Sequence, residues 1–206
     1  MVLEQIRVGS DNFCYIVYCS EQKKAAVVDP GFNAAKALQF LEKNHLLLDY
    51  IILTHYHSDH SAEAKQMKTK FPSCKIVASK EDGKKLSIKP DVVVSDGSQL
   101  KVGNIVLSFL LTPGHTAGGI CIIVDRKAIL TGDTLFIGDC GRTDLPGGSL
   151  EVMFQTLQQK IMPLPDDLIV YPGHDYGKKP FDSLGNQKST NKTLRAKTLE
   201  EFSLIP

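Results

Sequence analysis

Short apolar runs separated by polar loops fill the first third of the chain. Residues 12–19 alternate and are rich in Tyr and Val, and residues 24–28 repeat this strand signal before the turn Asp29-Pro30-Gly31. The two runs predict a hairpin. Apolar positions then recur at helical spacing over residues 34–44, with Ala34, Leu38, Leu41 and His45 on one face. Residues 50–53 form a short apolar run that predicts a buried strand opening onto a polar loop.

The remaining chain continues in short units of both kinds. A helix is predicted over residues 62–71, where Pro72 ends it. Further strands are predicted at residues 75–78, 92–94, 105–111, 120–124, 128–130 and 168–171, with helices at 150–161 and after residue 193. This mixture favours two sheets packed together with helices on the outside.

Composition and charge narrow the class of protein. The chain has 206 residues, 42% of them hydrophobic, which suffices for one domain over residues 1–206 with a core that needs no disulfide. The 24 Lys and Arg residues nearly balance 23 Asp and Glu residues. Since no bulk field would attract nucleic acid or an anionic membrane, we expect neither partner and predict a small-molecule partner that is recognised locally.

Cysteine usage and the N-terminal residues predict the compartment. The five cysteines are scattered, without a Cys-x-x-Cys pair, and reduced thiols are therefore expected. The N-terminal Met-Val-Leu-Glu-Gln-Ile lacks the basic and apolar regions of a signal peptide, and no apolar run approaches the roughly 20 residues that span a bilayer. We predict a cytoplasmic protein, and the sequence gives no indication of oligomeric state.

Five of the six histidines come directly after predicted strands, namely His55, His57, His60, His115 and His174. In the segment Thr-His-Tyr-His-Ser-Asp-His at residues 54–60, His55 and His57 are two positions apart. In extended backbone their side chains point to the same side, about 6.6 Å apart at Cα. Two imidazoles so placed can share one ion, and a catalytic zinc normally takes a third protein ligand.

Further ligand-type residues recur in a similar setting. His115, Asp133 and His174 each follow an apolar strand and have glycine beside them, which lets the backbone approach closely. With Asp59, these residues could hold two ions about 3.5 to 4 Å apart, bridged by one carboxylate. For an isolated residue such as His174, a structural hydrogen bond is the alternative role. Four potential metal ligands within the six positions 55–60 favour a metal site instead.

The ordered set of His-x-His-x-Asp-His, His115, Asp133 and His174 resembles the metallo-β-lactamase superfamily over nearly the whole chain. The resemblance implies an α/β (α+β) fold, a four-layer αββα sandwich with the metals at one edge of the two sheets. It assigns one ion to His55, His57 and His115 and the other to Asp59, His60 and His174, with Asp133 bridging.

Residues 132–148, Gly-Asp-Thr-Leu-Phe-Ile-Gly-Asp-Cys-Gly-Arg-Thr-Asp-Leu-Pro-Gly-Gly, resemble the glyoxalase II and persulfide dioxygenase branch. The resemblance implies a glyoxalase II type hydrolase that cleaves a hydroxyacyl thioester with a metal-bound hydroxide. Two Zn ions, or a mixture of Zn, Fe and Mn, would act there with Asp59 and Asp133 as catalytic groups. Arg142 and Tyr176 would hold the thiol-carrier part of the substrate.

The C-terminal part departs from that pattern. A short extension follows residue 177, whereas proteins resembling glyoxalase II usually add a helical domain that grips glutathione. The identity of the thiol carrier therefore stays open.

The same motifs leave two alternatives. A persulfide dioxygenase is implied equally well, with one Fe(II) at His55, His115 and Asp133 and open positions for O₂ and a substrate sulfur. A metal-binding protein without catalysis is the other alternative. The superfamily's nucleases carry a further large domain or an RNA-gripping arm, for which 206 residues leave little room. Its β-lactamases are exported and use a Cys ligand, whereas this chain has Asp133 and is predicted to lack a signal peptide.

Overall fold

The computed structural model describes residues 2–205; Met1 and Pro206, at the ends of the predicted domain, lie outside the described residues. Within this range the strands are β1 (Val2–Val8), β2 (Asn12–Cys19), β3 (Lys24–Val28), β4 (Leu47–Ile52), β5 (Lys75–Ser79), β6 (Val92–Val94), β7 (Gln99–Val102), β8 (Ile105–Leu111), β9 (Ile120–Val124), β10 (Ala128–Gly132), β11 (Ile169–Pro172) and β12 (Asp182–Ser183).

The helices are short and lie between or after the strands. They are α1 (Ala35–Lys43), α2 (Ser58–Ser61), α3 (Ala64–Lys70), α4 (Lys80–Gly83), α5 (Leu150–Thr156), α6 (Leu184–Thr190), α7 (Lys192–Arg195) and α8 (Leu199–Ser203). A π-helical turn, Leu157–Ile161, continues α5. Among the described residues, no helix is both long enough and apolar enough to span a bilayer.

The strands form two six-stranded sheets, each contiguous in the sequence. The first sheet has the order β1-β2-β3-β4-β5-β6 and the second β12-β11-β10-β9-β8-β7. The predicted hairpin is confirmed, since β2 pairs antiparallel with β3 and Tyr15 lies opposite Val28. In the first sheet β3 to β6 run parallel, and in the second sheet β10 and β11 run parallel.

Three apolar clusters define the layers. Between the sheets, Tyr15 and Val28 pack with Phe109 of the second sheet. On the outer face of the first sheet, Ile51 packs with Leu41 and Met67 of α1 and α3. On the outer face of the second sheet, Ile129 and Val170 pack with side chains of α5 and the C-terminal helices. Since successive strand residues face opposite sides, each sheet fills two clusters, and the predicted four-layer αββα fold is confirmed.

Several elements differ from the prediction. β1, β7 and β12 were not predicted, because edge strands expose polar side chains and β12 has only two residues. The helix predicted after residue 193 is instead α7 and α8, preceded by the unpredicted α6. Asn191 caps α7 through its side chain, which separates α7 from α6. The predicted face of α1 was wrong at His45, which lies beyond the helix with a φ of 52°.

Candidate metal centre

The ligand-type residues come from both sheets and meet at one edge. His55 follows β4, His57 precedes α2, and α2 carries Asp59 and His60. His115, Asp133 and His174 follow β8, β10 and β11, whose carboxyl ends lie at the same edge of the second sheet. The structure thus brings all seven predicted residues together.

The first ligand group is His55, His57 and His115, whose potential ligand atoms all lie within 4.8 Å of one another. His57 Nδ1 and His115 Nε2 are 2.9 Å apart, and the His55 ring centroid lies 4.8 Å and 4.9 Å from those of the other two. Two nitrogens bound tetrahedrally to zinc are about 3.3 Å apart. The group therefore has the spacing that one ion requires.

The second ligand group is Asp59, His60 and His174. His60 Nε2 lies 3.2 Å from His174 Nε2, and Asp59 Oδ2 lies 3.4 Å from the same His174 atom. The imidazoles point their Nε2 atoms at one another and at the carboxylate. This arrangement also suits one ion.

Asp133 lies between the two ligand groups. Its Oδ1 is 3.3 Å from His60 Nε2, and its Oδ2 is 3.3 Å from His174 Nε2 and 3.5 Å from His115 Nε2. One carboxylate therefore touches members of both groups, as a bridging ligand would.

Two buried atoms test whether a metal fits these residues. His55 Nε2 and Asp133 Oδ1 have no hydrogen-bond partner among residues 2–205. Buried polar atoms are normally paired, and both of these atoms belong to the cluster of ligand-type side chains. Imidazole and carboxylate are ligands of Zn, Fe and Mn, so a cation of this kind would satisfy both atoms.

The charges of the cluster also favour a cation. Burial lowers the pKa of His55 well below its usual range, which leaves a neutral ring that can coordinate. Burial opposes charge at Asp133 and His60 as well, but their mutual attraction prevails. The pKa of Asp133 falls well below the usual range of an aspartate. The pKa of His60 rises well above the usual range of a histidine. The buried carboxylates thus stabilise positive charge beside them, and a bound metal ion would supply that charge.

Groups behind the ligands orient the rings. Asp29 Oδ2 lies 2.9 Å from His60 Nδ1, and Asp11 Oδ1 lies 3.3 Å from His174 Nδ1. The carbonyl oxygen of Arg142 lies 2.7 Å from His115 Nδ1. Because these partners accept hydrogen bonds, each ring would keep its Nδ1 proton when metal is bound and offer Nε2 for coordination. Sequence reasoning missed Asp29 and Asp11, although Asp29 ends a strand beside Gly31 as other candidates do.

Glycines permit the close approach that the sequence predicted. A Cβ at Gly141 would lie 1.9 Å from the carbonyl oxygen of Asp133. One at Gly173 would lie 2.3 Å from Asp133 Oδ1. A side chain at Gly141 would therefore push against the Asp133 backbone, and one at Gly173 against its carboxylate.

The C-terminal helices hold the loop that follows Asp133. Asn191 is fully buried, and its Nδ2 donates to the carbonyl oxygens of Phe136 and Asp139 at 3.1 and 3.0 Å. Gln187 Oε1 accepts from the backbone N–H of Gly138 at 2.8 Å. Nothing in the sequence pattern singled out these amides, because only the tertiary contact gives them a role.

The two predicted substrate-binding residues lie at the rim. The Tyr176 ring is stacked on His174, with centroids 4.7 Å apart, and is 58% exposed. Arg142 lies beside His115 through its backbone, but its guanidinium donates from Nε and Nη2 to the two carboxylate oxygens of Asp144, both at 2.7 Å. The roles of Tyr176 and Arg142 in substrate binding stay predictions.

The chain matches known proteins over most of its length. Residues 8–174 match the family model of the metallo-beta-lactamase superfamily. The hydroxyacylglutathione hydrolase GloC of Haemophilus influenzae is 33% identical, over 90% of this chain and 93% of the relative. The mitochondrial persulfide dioxygenase ETHE1 of Homo sapiens is 30% identical, over 95% of this chain and 76% of the relative.

A solved structure agrees with the sequence matches. The crystal structure of ETHE1 from Myxococcus xanthus superposes with a TM-score of 0.89 and 28% identity, covering 100% of this chain and 92% of the other. Hydrolases and dioxygenases thus match this chain at similar identity. The family model and the ligand-type residues lead to one conclusion: the chain is an enzyme of the metallo-beta-lactamase superfamily.

Proposed function

We propose that the protein is a binuclear metal-dependent hydrolase of the glyoxalase II type that cleaves hydroxyacyl thioesters of a small thiol. The observation that carries the proposal is a complete second ligand group beside the first. Asp59, His60 and His174 lie within coordinating distance of one ion, and Asp133 touches both groups. A mononuclear enzyme would not need this second group.

Two ions bound at these groups would supply hydroxide at neutral pH and polarise the thioester carbonyl. The protein's own contribution is position and charge. The Asp133 side chain is 9% exposed and would hold the two groups together, while that of Asp59 is 32% exposed. Asn12 Nδ2 donates to Asp59 Oδ2 at 3.0 Å and fixes that carboxylate. In this proposal the Asp59 carboxylate accepts and returns a proton during hydrolysis.

The rim supports a small thiol-derived substrate. Tyr176 offers an exposed ring beside the second ligand group, and the backbone of Arg142 lies beside the first, with its exposed guanidinium paired to Asp144. A thiolate needs little protonation to leave, which is consistent with the lack of a dedicated acid at the rim. The hydroxyacylglutathione hydrolase of Haemophilus influenzae is a relative whose name describes this reaction.

His174→Ala tests the binuclear proposal, because His174 belongs only to the second ligand group. The variant and the parent protein should be purified anaerobically, supplemented with Zn, Fe and Mn, and analysed for bound metal. We expect bound metal to fall from about two ions to one per chain and hydrolysis of lactoylglutathione to fall about 10²-fold or more. His45→Ala is the matched control, since His45 is exposed and lies outside the cluster.

A persulfide dioxygenase with one Fe(II) at His55, His115 and Asp133 is the second candidate. His55 Nε2 and Asp133 Oδ1, the two buried unpaired atoms, both belong to this smaller set. The same variant distinguishes the two reactions. Full oxygen consumption with glutathione persulfide in His174→Ala, at about one iron per chain, would contradict the hydrolase and support the dioxygenase.

A further inference from the structure

Two loops from different sheets supply the first ligand group. His55 and His57 lie in the loop after β4 of the first sheet, and His115 lies in the loop between β8 and β9 of the second sheet. At the base of these loops the backbone N–H of Ile120 donates to the carbonyl oxygen of Thr54 at 2.9 Å. Nearer the ligands, His57 Nδ1 and His115 Nε2 are 2.9 Å apart. Their spacing depends on how the two loops are fixed to one another.

Asp82, in the short helix α4, is hydrogen-bonded to both loops. Its Oδ2 accepts from the backbone N–H of Tyr56 at 3.2 Å and from the hydroxyl of Thr116 at 2.7 Å. Its Oδ1 accepts from the backbone N–H of Gly118 at 2.8 Å. Tyr56 stands between the two ligands of the first loop, and Thr116 directly follows the ligand of the second. One carboxylate therefore joins the chain beside all three ligands of the group.

The surroundings of Asp82 hold its carboxylate in one position. The residue is 1% exposed, and its backbone N–H donates at 3.3 Å to the Ser79 hydroxyl that caps α4. A Cβ at Gly118 would lie 2.7 Å from Asp82 Oδ1, so glycine lets the second loop lie this close. Burying a carboxylate is costly unless donors compensate. All three donors to this carboxylate belong to the two loops that carry ligands.

The second ligand group has supports of its own. His60 Nδ1 faces Asp29 at 2.9 Å, and the backbone N–H of Gly31 donates to the His60 carbonyl oxygen at 3.1 Å. The partners of the Asp82 carboxylate, in contrast, lie at positions 56, 116 and 118, beside ligands of the first group. Loss of this carboxylate should therefore loosen the first group and leave the second intact.

We propose that Asp82 is a positioning residue, which fixes the two loops of the first ligand group at the spacing that one ion requires. It acts through the chain beside the ligands and contacts neither the ion nor the substrate. The inference rests on the metal sites of the proposed function but not on the reaction that they perform.

Zn²⁺ affinity measured separately at each ligand group tests the inference without using activity. A His174→Ala background keeps the first group intact, and a His57→Ala background keeps the second. Asp82→Asn is added to each background, and competition with a chelator gives the Zn²⁺ dissociation constant. We expect this constant to rise about tenfold or more at the first group and less than about twofold at the second.

Three further variants isolate the hydrogen bonds from the charge and from the helix. Glu81→Gln is the matched control for Asp82→Asn, since it removes a negative charge from the same helix at a side chain that is 52% exposed. Thr116→Val removes the shortest bond to the carboxylate, and Thr116→Ser retains the hydroxyl. In the His174→Ala background we expect weaker Zn²⁺ binding from Thr116→Val and nearly unchanged binding from Thr116→Ser and Glu81→Gln.

Equal weakening of both ligand groups by Asp82→Asn would show a general effect on the fold and overturn the inference. Unchanged Zn²⁺ binding at the first group would overturn it as well. If Asp82→Asn does not fold, the two Thr116 variants decide, and equal affinities of Thr116→Val and Thr116→Ser would contradict the proposed role.

The hydrolase proposal fails in a different way. Selective weakening of the first group by Asp82→Asn, without thioester hydrolysis by any loaded form of the parent protein, would retain the role of Asp82 and overturn the hydrolase. Hydrolysis by the parent protein, with an unchanged first group in Asp82→Asn, would do the reverse.

Discussion

The candidate metal centre and its rim differ in how firmly their side chains are held. His60 is fully buried, and its Nδ1 bonds to an equally buried carboxylate, Asp29. Arg142 and Tyr176, by contrast, are largely exposed. The loop after β10 connects the two regions, since it runs from Asp133, between the two ligand groups, to the Arg142–Asp144 pair.

This difference separates two aspects of function. In the proposed function, the buried cluster would determine which cations are held and therefore which chemistry is available. The exposed rim would determine which carrier is accepted, and a few surface substitutions could change it without disturbing the fold. Relatives that are hydrolases and relatives that are dioxygenases match this chain at similar identity, so overall similarity does not distinguish the two reactions.

Of the substitutions considered, Asp133→Asn should impair metal binding and activity most severely. The substitution keeps the shape but removes the negative charge that both ligand groups share. We expect kcat/KM to fall about 10³-fold, equivalent to about 4 kcal/mol, together with loss of bound metal. Elemental analysis and steady-state kinetics would check this, and retention of both metals and activity would contradict a bridging role.

Asp29→Asn tests whether the groups behind the ligands matter as much as burial implies. Asp29 accepts from Thr54 and faces His60, so its loss should weaken metal affinity about 10- to 100-fold. Asp11→Asn is the exposed counterpart, at 3.3 Å from His174 Nδ1, and should have a smaller effect. Competition with a chelator would rank the two variants, and a larger effect of Asp11→Asn would reverse our comparison.

Asn191→Ala tests the support of the loop that joins the two regions. Loss of the hydrogen bond to the carbonyl oxygen of buried Phe136, together with the one to Asp139, should lower the free energy of unfolding by about 1 to 3 kcal/mol. Denaturant unfolding would measure this. Asn186→Ala, on the exposed side of α6, provides the control, and equal losses would show that Asn191 has no special role.

Tyr176 should give the smallest effect, because it belongs to the rim. Tyr176→Ala removes the ring stacked on His174 and should raise KM for a thioester, with a cost of about 0.5 to 1.5 kcal/mol. Tyr176→Phe retains the stack and should leave KM nearly unchanged. Steady-state kinetics on both variants would distinguish stacking from a hydroxyl contact, which would make the Phe variant as poor as the Ala variant.

Sequence patterns predicted the cluster better than its surroundings. The ligand-type residues follow apolar strands, and strand ends at one edge of a sheet are brought together by the fold itself, as His115 and His174 illustrate. Asp29 escaped prediction because its Asp-Pro-Gly setting is also that of an ordinary turn. The Arg142–Asp144 pair escaped because charges two positions apart in a loop can pair or diverge, depending on backbone geometry.

Fold prediction shows a similar division. Interior strands such as β8 and β9 are apolar enough to be recognised, whereas β1 carries Glu4, Gln5 and Arg7 because it lies at an edge. The break between α6 and α7 depends on a cap at Asn191 whose other bonds reach a distant loop. Such contacts are set by tertiary structure, and local periodicity does not report them.

Each ligand group combines residues that follow strands of both sheets, so neither group can form until part of the second sheet has been synthesised. The first sheet is complete in the sequence at Val94, and the second begins at Gln99. A nascent chain can therefore pair all strands of its first half before any ligand of the second half exists. His174, after the penultimate strand, completes the second group only when nearly the whole chain has emerged. Because a cation bound there would join the two sheets, its uptake would require synthesis past His174, and shorter nascent fragments would stay unmetallated at that group.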